Sequence, residues 1–159
     1  MNELGTVWCL DTSAFVNPWK KTYPPDIAPG YWDALVRLLA QHRLVASEEV
    51  RCEIELIDDD LLVWTKTNIT YWYPITDDVQ RVVTDVMASH PKLVDARKGR
   101  SRADPFVIGT AGATGATVVT TEEYGTPGKP KIPLVCDAYD IGCMGVLEFI
   151  RAEGIRIGG

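Results

Sequence analysis

A chain of 159 residues, 46% hydrophobic and 24% charged, suits one soluble globular domain spanning residues 1–159. Its net charge of -6 argues against a protein that coats nucleic acid non-specifically, but not against an enzyme that meets nucleic acid through metal ions. No apolar run approaches the ~20 residues of a membrane span, and the start Met1-Asn2-Glu3 has neither the basic nor the long apolar segment of a secretory leader.

The first element is the run Val7-Trp8-Cys9-Leu10, which has no polar alternation and reads as a strand buried on both faces. It ends in Asp11-Thr12-Ser13. An acid there stands at the carboxyl edge of a sheet, where open α/β sheets place their ligands; the same three residues also read as a helix N-cap. Pro18 to Gly30, rich in proline and aromatics, is too long for a simple connection and reads as a packed Ω-loop or as a rim presenting Lys20, Lys21 and Tyr23 to a substrate. Tyr31 to His42 has helical spacing at Leu35, Leu38 and Leu39. Val45-Ala46 is a brief turn or strand. Ser47 caps a second helix whose apolar stripe is Val50 and Ile54, with Glu53 at the margin of that stripe.

Asp58-Asp59-Asp60 opens a further helix through Leu61 to Trp64, its acids favoured by the helix dipole rather than by a metal. Ile69 to Ile75 is β-prone. Thr76 caps a helix with a stripe of Val79, Val82, Val83, Val86 and Met87, ending near His90-Pro91. His42 and His90 both fall at helix C-termini and read as partners of the helix dipole. Lys92 to Arg102 is a basic loop in an acidic protein: either a solvated connection or a contact for a phosphate backbone.

Asp104 then reads as an N-cap with Pro105 at N1, opening a helix that runs to about Ala113 and closes at Gly115. Ala116 to Thr120 is a buried strand ending in Thr120, Thr121, Glu122 and Glu123. A crossover helix of this length implies a parallel strand pair. A turn-rich loop from Gly125 to Pro130, a short helix from Ile132 to Tyr139, an edge strand from Ile141 to Met144 and a last helix from Val146 to Glu153 complete the chain. Cys9, Cys52, Cys136 and Cys143 lie outside any CxxC pair and read as buried free thiols of a reducing cytoplasm.

The expected architecture is therefore α/β, a three-layer α/β/α sandwich around a mostly parallel sheet. Four acids from four separate segments, Asp11, Glu53, Asp104 and Glu122, stand where such a sheet can bring them to one edge. Clustered carboxylates repel one another unless a cation neutralises them. Oxygen-only ligands select Mg²⁺ or Mn²⁺, ions that can activate water and stabilise the leaving oxygen of a phosphodiester. No Gly-rich phosphate loop, zinc pattern or Ser–His pairing competes.

Leu10-Asp11-Thr12-Ser13, Val50-x-x-Glu53, Ala103-Asp104-Pro105-Phe106-Val107-Ile108 and Val118-Val119-Thr120-x-Glu122 resemble, in order, the motifs of the PIN-domain nucleases, many of which are toxins of the VapC type. Pro29-Gly30-Tyr31-Trp32 and Lys131-Ile132-Pro133-Leu134-Val135-Cys136 resemble a less characterised PIN-like branch. The resemblance implies a Mg²⁺- or Mn²⁺-dependent endoribonuclease in which Asp11, Glu53 and Asp104 are the core catalytic, metal-binding acids. Glu122 is the fourth, standing where many members have Asp. The hydroxyls Thr12, Ser13 and Thr120 and the cations Arg97, Lys98 and Arg100 are the expected substrate contacts. The implied partners are RNA, an antitoxin and a second copy of the chain, with no membrane and a cytoplasmic setting. The competing expectation is a catalytically weak scaffold that binds RNA or protein. The absence of a DxD motif disfavours a haloacid-dehalogenase-like phosphatase.

Overall fold

The computed structural model describes residues 5–94 and 102–159. Its centre is a four-stranded, all-parallel sheet built from β1 (Trp8–Leu10), β2 (Leu44–Val45), β3 (Thr117–Thr120) and, later in the chain, β6 (Cys143–Gly145). The spatial order is β2-β1-β3-β6. β1 is buried along its whole length, because both of its faces are covered in a three-layer α/β/α arrangement. Trp8 pairs with Leu44 on one side and Thr117 on the other, and Leu10 pairs with Val119.

Each parallel connection needs a crossover, and helices supply it. The connections contain α1 (Thr12–Asn17), α2 (Pro29–Ala40), α3 (Glu48–Ile57), α4 (Asp59–Asn68), α5 (Asp77–Ser89), α6 (Asp104–Thr114) and α7 (Ile132–Ala138), and α8 (Val146–Glu153) follows the last strand. Four of them begin on a side-chain cap. Asp11, Ser47, Asp58 and Thr76 accept from the amides of Ala14, Glu49, Leu61 and Val79, each satisfying a donor the helix leaves open. α6 ends at Gly115 in the left-handed conformation. Most of the buried apolar side chains form one contiguous cluster from Trp8 to Ile155. No helix among the described residues is long and apolar enough to cross a membrane.

Several local expectations need correction. The Pro18 to Gly30 stretch is not all loop: α1 continues into a π-helical turn, Pro18–Thr22, α2 starts at Pro29, and what lies between is packed by aromatic contacts. Tyr23 stacks on Tyr31 at 5.8 Å and Trp19 meets Trp32 edge-on at 4.9 Å. Residues 69–75 form no strand. They contribute one parallel bridge, Ser47 to Tyr73, because β2 is too short to template a ladder beyond its end. The 125–130 loop is a small antiparallel hairpin of β4 (Gly125–Thr126) and β5 (Lys129–Pro130). Asp104 is not the N-cap of α6: that position is Ala103, and Asp104 opens the first turn, where an acid meets the helix dipole. Cys9 and Cys136 are buried free thiols, but Cys52 is exposed and Cys143 half-buried: Cys52 faces away from the Val50–Ile54 stripe of α3, so helix periodicity turns it outward.

Candidate active site

From β1 the chain moves to β2 on one side, then returns to place β3 on the other. The sheet's topological switch point is therefore the crevice at the carboxyl ends of β1 and β3. Asp11 follows β1 directly and Thr120 ends β3. The Asp11 amide donates to the Val119 carbonyl at 3.1 Å, which fixes the acid against the end of β3.

The Asp11 carboxylate is 2% exposed and held by three neutral donors. Oδ1 accepts from the Ser13 hydroxyl at 2.7 Å and the Ala14 amide at 2.9 Å. Oδ2 accepts from the Thr120 hydroxyl at 2.6 Å. Burial pushes the Asp11 carboxyl up to about 7 against the pull of these bonds, and the negative charge of Glu122 adds to the rise. The two readings of Asp11, cap and strand-end acid, are thus both realised: one oxygen caps α1 while the other faces β3. Ser13 completes a small hydroxyl network, accepting from the Thr121 amide at 3.0 Å and lying 3.3 Å from the Thr120 hydroxyl.

Glu53 projects from α3 to the start of α1, where its carboxylate accepts from the Thr12 hydroxyl. Its other oxygen accepts from the Ala103 amide at 3.3 Å, one residue before Asp104. A half-buried acid on the margin of an apolar stripe thereby ties together the first turns of α1 and α6. Asp104 itself is buried, 7% exposed, in the first turn of α6. Asp11, Glu53 and Asp104 are linked in sequence through the Asp11–Thr12 step, the Glu53 carboxylate and the Ala103–Asp104 step.

Glu122 follows the end of β3 by two residues, near enough for its charge to act on Asp11. Its amide donates to Thr120 Oγ1 at 3.0 Å. Its Oε1 accepts from the Ile132 amide at 3.2 Å, so the carboxylate caps α7, a short helix without a side-chain cap of its own at Lys131. Glu122 is half-buried and Glu123 exposed, the division expected of neighbours in an extended segment. Thr12, Ser13 and Thr120 thus serve to hold the acids. Arg97, Lys98 and Arg100 lie outside the described residues.

Two contributors escaped the sequence reading: the backbone amides of Ala103 and Ile132. An amide carries no side-chain signature. The available hint was positional, since Ala103 stands two residues and Ile132 one residue before a proline at the start of a helix, where first-turn donors need acceptors.

The donor set is carboxylate and hydroxyl oxygen, with no nitrogen or sulfur ligand among these side chains, which matches the preference of Mg²⁺ and Mn²⁺. Among the described residues no three His, Cys, Asp or Glu side chains already stand close enough together to hold an ion; the acids are spaced by the hydroxyl and amide donors between them.

No curated protein matches the chain. From residue 8 to residue 157, nearly its full length, it matches the family described as a domain of unknown function, DUF4411, and it belongs to that family.

Proposed function

We propose that this chain is a Mg²⁺- or Mn²⁺-dependent endoribonuclease that hydrolyses RNA phosphodiester bonds, acting in the cytoplasm as the toxin of a toxin–antitoxin pair. The observation that supports the reading is the set of contacts at the carboxyl ends of β1 and β3: Thr120 and Ser13 hold Asp11, the Glu122 amide bonds Thr120, and Glu53 bonds Thr12 and the amide of Ala103, next to Asp104. Stability alone does not account for Asp11, a carboxylate whose proton affinity is raised by burial and, to a lesser degree, by the charge of Glu122. The toxin role and the antitoxin rest on the resemblance of the ordered motifs to PIN-domain nucleases.

In this reading Asp11, Glu53 and Asp104 hold the ion and Glu122 contributes from the β3 side. An ion held there would supply an activated water and neutralise charge on the phosphodiester. The chain's own groups set the geometry. Thr120 and Ser13 fix the plane of the Asp11 carboxylate through one bond to each oxygen. Thr12 and the Ala103 amide do the same for Glu53. The first turns of α1 and α6 aim their positive dipole ends towards the crevice, which favours an anionic substrate.

A second reading, an RNA- or protein-binding scaffold of weak activity, is favoured by one specific feature: both oxygens of Asp11 and of Glu53 already have protein donors. Incubating the purified chain with RNA in Mn²⁺, in Mg²⁺ and in EDTA separates the two. The nuclease cleaves only with metal, and Asp11→Asn abolishes cleavage. Cleavage at the wild-type rate by Asp11→Asn in Mn²⁺ removes Asp11 from the site, and absence of metal-dependent cleavage leaves the scaffold.

A further inference from the structure

The excursion between Glu122 and α7 is clasped at its base by the Ile132 amide on Glu122 Oε1. It therefore projects directly from the candidate site. Inside it, Thr126 Oγ1 accepts from the Lys129 amide at 3.1 Å. Gly125 adopts φ +80°, and a Cβ there would stand 2.6 Å from the Lys129 carbonyl oxygen, so this turn demands glycine. The β5 strand packs beside the 3₁₀ turn Pro91–Leu93, and Pro130 is buried. The hairpin is thus anchored at both its base and its side.

Tyr124 is 52% exposed, yet its hydroxyl is tethered to Asp137 at 2.9 Å, which orients the ring while leaving it accessible. Lys129 and Lys131 on the hairpin and Lys92 on the adjoining turn are exposed. None of the three is ion-paired among the described residues. In a chain of net charge -6, Tyr124, Lys129 and Lys131 follow Glu122 by two, seven and nine residues and Lys92 lies on the turn beside them, with Glu123 and Asp137 as exposed acids of the same region. An exposed ring with cations on the facing arm of the same hairpin is a combination that grips single strands: the ring stacks on a base of any identity and the cations track phosphates.

We propose that the β4–β5 hairpin is a binding site for single-stranded RNA, with Tyr124 stacking on a nucleobase and Lys129 and Lys131 meeting flanking phosphates, so that the strand is fed past Glu122. The inference rests on the RNA-cleaving reading of the neighbouring acids and specifies the form of substrate: an unpaired strand, because a base within a duplex offers no free face to Tyr124.

The test is binding without chemistry. The full chain carrying Asp11→Asn, in EDTA, is titrated into a fluorescein-labelled oligouridylate of about a dozen nucleotides and followed by anisotropy. Tyr124→Ala weakens binding about tenfold, whereas Tyr124→Phe, which keeps the ring and removes only the tether, stays within about threefold. Replacing Lys129 and Lys131 with Ala lowers the slope of log affinity against log salt by roughly 1.4, about 0.7 for each phosphate no longer neutralised. Unchanged affinity in Tyr124→Ala overturns the proposal. So does an equal weakening in Tyr124→Phe, or equally tight binding of a duplex RNA of the same length. Failure of the hydrolytic reading is separately visible: a wild-type chain that does not cleave RNA in Mn²⁺ but shows this binding pattern keeps the hairpin site, and one that cleaves RNA while indifferent to Tyr124→Ala loses it.

Discussion

The two ends of the central sheet use carboxylates in opposite ways. At the amino end, Glu153, the last residue of α8, accepts from the Trp8 indole at 2.6 Å and pairs with the Arg43 guanidinium. Arg43 also donates to the Thr6 carbonyl at 3.1 Å. The pair is 17% and 11% exposed at its side chains, and it clamps the starts of β1 and β2 to the end of α8. At the carboxyl end, the hydrogen bonds to Asp11 and Glu53 from the described residues come from hydroxyls and amides. A carboxylate matched by a guanidinium is a cross-link whose charge is already neutralised. A carboxylate held by neutral dipoles has its position fixed while its charge remains available. The same side-chain chemistry therefore stabilises one edge and, in our reading, keeps the other poised for a cation.

The comparison can be broken at either end. The largest effect belongs to Glu53→Gln. The substitution keeps the shape but removes the charge that links α1 to α6, and metal-dependent RNA cleavage should fall at least about 100-fold. Thermal unfolding of the same sample should remain within a few degrees of wild type, since only neutral donors must find new acceptors. Equal cleavage rates would put Glu53 with Glu153 among the structural acids.

Next in size is the opposite edge. Glu153→Ala leaves Arg43 and the Trp8 indole without their shared acceptor and should cost about 2–3 kcal/mol in urea unfolding. Cleavage per folded molecule should not change. A loss below about 0.5 kcal/mol would reduce the clamp to a surface pair.

A smaller effect, opposite in sign, is expected from Asp11→Asn in EDTA. The folded chain holds the Asp11 proton up to about pH 7, against an ordinary value of 3.8. The unfolded chain thus loses its proton first as pH rises. The Asp11 contribution to stability is fully present below about pH 4, declines through the window from 4 to 7 and is lost above it. Asn does not titrate there. The variant should therefore gain about 1–2 kcal/mol over wild type at pH 8, after allowance for a weakened bond to Thr120, and the gain should vanish near pH 4. Denaturant midpoints across that range would show it; a gain independent of pH would refute the burial origin of the shift.

The smallest effect separates two neighbours. Glu122→Gln should slow cleavage roughly three- to tenfold and Glu123→Gln should leave it unchanged. A Gln at 122 still presents an oxygen to the Ile132 amide, so α7 keeps its cap and the slower rate reports charge. If only Glu123→Gln slows the reaction, the register of the segment after β3 is wrong by one residue for function.

Much of this molecule is written in short windows of sequence. Asp11, Ser47, Asp58 and Thr76 each precede an apolar periodic run, and each caps the helix that follows. Capping needs only a side-chain oxygen and an amide two or three residues on, so local pattern suffices. The same holds for Gly115 and Gly154, the left-handed stops of α6 and α8, and for the apolar runs of β1 and β3. By contrast, residues 69–75 have strong β propensity but form only a bridge, because a strand also needs a neighbour of matching length.

What the sequence could not supply is which strand lies beside which. β1, β2 and β3 are all short and apolar, and nothing in such a run specifies its partner. Tertiary packing places β3 against β1, and only then does Thr120 reach Asp11 across 109 residues and Thr12 reach Glu53 across 41. The identity of the acids is local information. Their meeting at one edge depends on long-range burial of the strands, and their restraint depends on hydroxyls and backbone amides that acquire a role only once those strands are paired.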